Sequence, residues 1–86
     1  MYNTAAQILE AAGITPTPNR LLVVDTLAAA SAPLALAQIE ELLPTMERSG
    51  IFRVLTLLAD NHLAHTVNDG TRSLKYELSL EATAGH

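Results

Sequence analysis

The 86-residue chain has no cysteine and no tryptophan, and Tyr2, Phe52 and Tyr76 are its only aromatic residues. Without cysteine there is no disulfide framework, no thiolate metal site and no thiol nucleophile, which fits a reducing, cytoplasmic location. Cations are scarce as well: five basic residues face nine acidic ones, for a net charge of −4. That balance runs against the basic excess usual in nucleic-acid-binding domains. The longest uncharged run, residues 26–39, contains Pro33 and falls short of the roughly 18–20 residues needed to span a membrane. Met1-Tyr2-Asn3-Thr4 offers neither the basic nor the apolar segment of a secretion signal. No glycine-rich phosphate loop and no serine–histidine–carboxylate spacing is found, so no enzyme is expected.

The chain does hold 15 leucines and 14 alanines. A single domain of this size buries roughly 60–65% of its unfolded surface, enough for a small helical core. Ala5, Ile8, Leu9 and Ala12 recur at helical spacing within Thr4–Ala12, and Gly13 supplies a stop. The two prolines of Ile14-Thr15-Pro16-Thr17-Pro18 break the helix, and Pro18 suits the first turn of a second one reaching about Ala30. Ser31-Ala32-Pro33 is a further break, before a third helix from about Leu36 to Leu43 that ends at Pro44.

The fourth helix, about Glu47 to Asp60, carries most of the functional information. Ile51, Val54, Leu55 and Leu58 form a buried stripe, while Ser49, Phe52, Arg53 and Thr56 repeat the same spacing on the solvent side. An aromatic ring beside an arginine on an exposed face suits a surface that reads something, with a DNA major groove as the leading candidate. His62–Val67 and Arg72–Leu78 then alternate as half-buried strands around Asn68-Asp69-Gly70-Thr71, a strong hairpin signal. The pattern is mainly α with a small β-hairpin, α-α-α-α-β-β, the order of a winged helix-turn-helix. Its expected core is Ile8, Leu9, Val24, Leu27, Ile39, Leu43, Ile51, Val54, Leu55 and Leu58, closed by Val67, Leu74 and Tyr76. Four of the five cations (Arg48, Arg53, Arg72 and Lys75) lie in the helix-plus-hairpin half, so their distribution favours nucleic acid although the total does not.

Three segments, in order, resemble the DNA-binding domain of the ferric uptake regulator family. Ala12-Gly13-Ile14-Thr15-Pro16-Thr17-Pro18-Asn19-Arg20 resembles its Ala-Gly-Leu-x-x-Thr-x-x-Arg opening. Gly50-Ile51-Phe52-Arg53-Val54-Leu55 is similar to its Thr-Val-Tyr-Arg-Thr-Leu reading helix, and Tyr76-Glu77-Leu78 to its Phe-Glu-Leu at the end of the wing. The resemblance implies a metal-responsive transcription regulator, commonly a repressor, that binds double-stranded DNA. It acts as a homodimer in its full-length form, with zinc or iron bound in the longer protein. Residues 1–80 would be the winged domain, and 81–86 a tail or the start of a C-terminal dimerisation domain. Of the family's metal ligands only Glu77 and His86 remain, and two ligands rarely hold an ion. Family histidines fall at apolar positions near Leu34, and Thr15 stands where a basic residue commonly enters the minor groove.

Arg53, Phe52, Ser49 and Thr56 are thus the expected reading face, with Arg20, Arg48 and Arg72 as phosphate clamps and Thr15 as a loop contact. Each has a plainer role open to it. Arg53 could pair with Glu47 or Asp60, Phe52 could lie under the wing or a partner chain, and Thr15 and Thr17 could serve the loop and the helix cap. His62 and His65, three apart on a strand, point to opposite faces and cannot share an ion. The functional alternative is a winged helix that binds protein and not DNA, with Phe52 as its apolar anchor.

Overall fold

The computed structural model describes residues 4–68, 70 and 73–79. Thr4 caps the first helix, α1 (Ala5–Ala11), its hydroxyl accepting from the Gln7 amide at 3.1 Å. This is the preferred way to satisfy one of the helix's free N–H groups. The helix ends at Gly13, whose φ of +77° lets its N–H reach the Glu10 carbonyl while Ile14 N–H reaches that of Leu9. These two bonds are the Schellman closure, and they carry Ile14 into the core. In α2 (Pro18–Ala29) the Thr17 hydroxyl caps the Arg20 amide and Pro18 occupies the first turn, so Thr17 is a capping residue.

Pro33 is followed by a two-residue strand, β1 (Leu34–Ala35), then by α3 (Leu36–Leu42) and α4 (Arg48–Asp60). The strands β2 (Ala64–Val67) and β3 (Lys75–Leu78) complete an antiparallel sheet in the order β1-β3-β2. The winged-helix class is as expected; β1 is an addition to it. Leu34 lies opposite Tyr76 and Ala35 opposite Lys75, which ties the start of the helix-turn-helix to the wing.

All ten residues expected in the helical core are buried, joined by Ala5, Ile14, Val23, Met46, Leu63 and Ala64. The wing closes the core differently from expectation. Tyr76 packs against it and Val67 is half-buried, but Leu74 is 52% exposed because β3 begins one residue later. Both strands are shorter than their alternating patterns, leaving residues 68–74 as the connection. Within it Gly70 takes φ +90° and donates its N–H to the Asn68 side chain, the local bonding that makes asparagine and glycine turn residues.

His62 is not on a strand. It follows α4 with φ +61°, its N–H bonded to the Ala59 carbonyl and Leu63 N–H to that of Leu58. This is a second Schellman closure, with histidine in the left-handed position that glycine usually fills. The expectation that His62 and His65 share one strand is therefore overturned.

Candidate nucleic-acid interface

The fourth helix presents its two faces as its spacing requires. Ile51, Leu55 and Leu58 are fully buried and Val54 nearly so, with α4 packed against α2, α3 and β2. Ser49, Phe52, Arg53 and Thr56 are all exposed on the other side. Phe52 is 50% exposed, so half of its area is left in water. Half of a phenylalanine's area left in water is on the order of 100 Å², equivalent to about 2 kcal/mol of burial still open to a partner. Among the described residues nothing pairs with the Arg53 guanidinium, and the expected alternatives Glu47 and Asp60 do not reach it. The outward face thus offers a ring, two hydroxyls and an unpaired guanidinium, a combination able to meet base edges, thymine methyls and phosphates.

The other cations are more engaged. Arg48 donates from Nε and Nη2 to one carboxylate oxygen of Glu40 at 3.0 and 2.8 Å, joining α4 to α3. That hydrogen bond, and then the carboxylate's charge, hold the Arg48 pKa above its ordinary value. Arg48 remains exposed, but a phosphate must compete with Glu40 for it. Arg20 donates from Nη1 to the Thr15 carbonyl at 2.9 Å. This fastens the loop before α2 and leaves the Thr15 side chain exposed. Lys75 starts β3 on the wing, and Arg72 lies outside the described residues.

Glu77 is committed within the sheet. It lies opposite His65 in the β2–β3 register, and its Oε1 meets His65 Nε2 at 2.8 Å, both side chains about half exposed. His86, the other residue expected at a metal, is outside the described residues. No group of three histidines or carboxylates converges among the described residues, and Leu34 supplies only hydrocarbon. The described residues therefore do not fit a regulatory metal at this place. Sequence spacing missed both ion-pair partners, Glu40 and His65, because each pair forms between elements.

No helix among the described residues is long and apolar enough to cross a membrane. No protein-family model and no curated protein matches the sequence. Solved structures do match in fold. The Pseudomonas aeruginosa ferric uptake regulator with manganese aligns at TM-score 0.80 and 20% identity, over 90% of this chain and 61% of that one. The Vibrio cholerae ferric uptake regulator, described for rearrangement of its DNA-binding domains, aligns at TM-score 0.76 and 20% identity, over 86% of this chain and 60% of that one. Dissimilatory sulfite reductase D aligns at TM-score 0.60 and 22% identity, over 74% of this chain and 94% of that one. The chain is a winged helix, and it has the fold of the ferric uptake regulators. It spans 60–61% of the length of the two regulators named here, and a fold shared with the third protein does not by itself assign an activity.

Proposed function

We propose that this chain is the DNA-binding domain of a transcription regulator of the ferric uptake regulator kind. The observation that carries the reading is the outward face of α4, where exposed Phe52 and Arg53, unpaired among the described residues, stand between Ser49 and Thr56. In this reading α4 enters the major groove. Arg53 takes a guanine edge or a phosphate, Phe52 meets a thymine methyl, and Ser49 and Thr56 bond to backbone or bases. The wing, β2 and β3 with the segment between them, rests on the flanking backbone. Arg20 and Arg72 serve as phosphate clamps, and Arg48 joins them when phosphate displaces Glu40; Thr15 lies beside Arg20 at the edge of the contact. In this reading the winged domain takes in residues 1–80. Metal response through zinc or iron, repression and homodimeric binding of a palindromic site belong to this reading for a longer, cytoplasmic protein. No catalytic role is part of it.

With net charge −4, a single copy makes few phosphate contacts. Affinity for random duplex DNA should therefore be weak and fall with salt, at a log–log slope of about −3 to −4 for three to four contacts. Fluorescence anisotropy between low and physiological salt measures that slope. Net acidity and the exposed ring of Phe52 favour one other reading, a protein-interaction module. Absence of any salt-dependent DNA binding at low ionic strength would decide for it.

A further inference from the structure

Phe52 is the one aromatic side chain on α4, and what it lacks narrows what it can read. At about 100° per residue, Ser49 and Thr56 lie about 20° apart around the helix, with Phe52 about 40° beyond Thr56 on one side and Arg53 about 40° beyond Ser49 on the other. All four are exposed, so the ring and the guanidinium flank two hydroxyls. Each hydroxyl both donates and accepts, and meets the O4 of thymine and the N4 amine of cytosine equally well. The guanidinium only donates, which suits O6 and N7 of guanine. The ring has neither donor nor acceptor. None of these four groups separates thymine from cytosine by its polar edge. What is left to read at a pyrimidine is C5, which carries a methyl in thymine and a hydrogen in cytosine.

A methyl added at C5 of cytosine presents Phe52 with the same apolar target as thymine. Half of the ring stands in water and is free to cover it, and burying one methyl group raises affinity roughly fourfold. Resting on the major-groove reading of α4 proposed above, we infer that this face reads the C5 methyl of a pyrimidine beside a guanine, so that cytosine methylation of a CG step strengthens binding. Phe52 sets the specificity by covering the methyl, and Arg53 takes the guanine. A methylated CG step is then bound as a TG step is. Occupancy of a site therefore rises when its cytosines are methylated and falls when they are not, a form of regulation that needs no ligand on the protein.

Two pairs of short duplexes test this with the full chain, by fluorescence anisotropy at low salt. One pair carries repeated CG steps with cytosine either unmodified or C5-methylated; the other carries repeated TG steps with either thymine or uracil. In each pair the methyl-bearing duplex should bind roughly fourfold tighter than its twin. Phe52→Ala should bind the twins alike, whereas Arg53→Ala should weaken all four duplexes and keep the methyl preference. If none of the four binds, the major-groove reading of α4 falls and the inference with it. If the duplexes bind but the twins bind alike, the inference alone fails. A preference for methylcytosine without one for thymine over uracil also overturns it, since methylation then acts through the shape of the duplex. So does a methyl preference that persists in Phe52→Ala at the thermal midpoint of the wild type.

Discussion

The two faces of α4 share one backbone and meet opposite demands. On the inner face Ile51, Leu55 and Leu58 leave no area in water, and each contributes about 1.5–3 kcal/mol by burial. The outer face contributes little to the fold: Phe52 is half in water and Arg53 has no partner among the described residues. A helix selected for stability alone would carry alanine, glutamate or lysine there. The difference separates residues that hold the domain together from residues that, in the reading proposed above, meet DNA.

The comparison breaks most visibly if the inner face is weakened. Leu55→Ala should cost about 2–5 kcal/mol of stability, as for a fully buried leucine, and calorimetric unfolding measures it. A loss under 1 kcal/mol would mean that the helix is rotated from the orientation described. Arg53→Ala tests the outer face and should do the reverse. We expect an unchanged thermal midpoint and a loss of about 1–3 kcal/mol in duplex DNA binding. Equal affinity of wild type and Arg53→Ala for DNA would remove this residue from the interface.

The ends of α4 give smaller effects of a matched kind, because glycine and side chain each stand where the other is usual. A Cβ added at Gly50 would meet only the Met46 methyl at 3.8 Å, an ordinary contact, at a backbone with no positive φ. Gly50→Ala should therefore raise stability by up to about 0.8–1 kcal/mol. His62 holds φ +61°, so His62→Gly should also gain about 1 kcal/mol by relieving the left-handed backbone. Urea unfolding of both variants resolves gains of this size. If Gly50→Ala gains stability but loses DNA binding, the DNA backbone approaches the helix there too closely for a methyl group.

Local signals account for much of the fold. The two faces of α4, the stop at Gly13 and the proline-started α2 all follow from near-neighbour spacing, and the helical core came with them. What was not legible depends on pairings between elements and on how one helix ends. The strand β1 has two residues, too few for any periodicity, and exists because Leu34 and Ala35 meet Tyr76 and Lys75 of β3. His62 shared the alternation of His62–Val67, but the carbonyls of the preceding helix claimed its amide and that of Leu63. A tight turn on Asp69-Gly70 would set Val67 opposite Arg72, whereas it lies opposite Lys75. That register shortens β3 and leaves Leu74 outside the sheet, whereas β2 keeps its end at Val67 and loses its start to the closure after α4. In the candidate site, exposure of Phe52 and Arg53 was legible; the commitment of Arg48 to Glu40 was not, since it bridges two helices across a turn.

Arg48 and Arg53 make the finest version of the comparison, two exposed arginines on one helix, one paired and the other without a partner among the described residues. Glu40→Gln removes the carboxylate while keeping a side chain that can still accept a hydrogen bond from Arg48. The ion pair is solvent-exposed, and such pairs hold little stability, so the thermal midpoint should stay within the scatter of repeat scans. DNA binding should strengthen, for two reasons of the same sign: one negative charge leaves the helix-turn-helix, and the guanidinium no longer has to leave a carboxylate to reach a phosphate. The gain should be smaller than the loss at Arg53→Ala. It should also steepen the salt dependence by up to about one counterion, as for one added phosphate contact. Affinity measured across a salt series separates the outcomes. A steeper slope places Arg48 among the phosphate clamps, while an unchanged slope with unchanged affinity leaves it as a strut between α3 and α4.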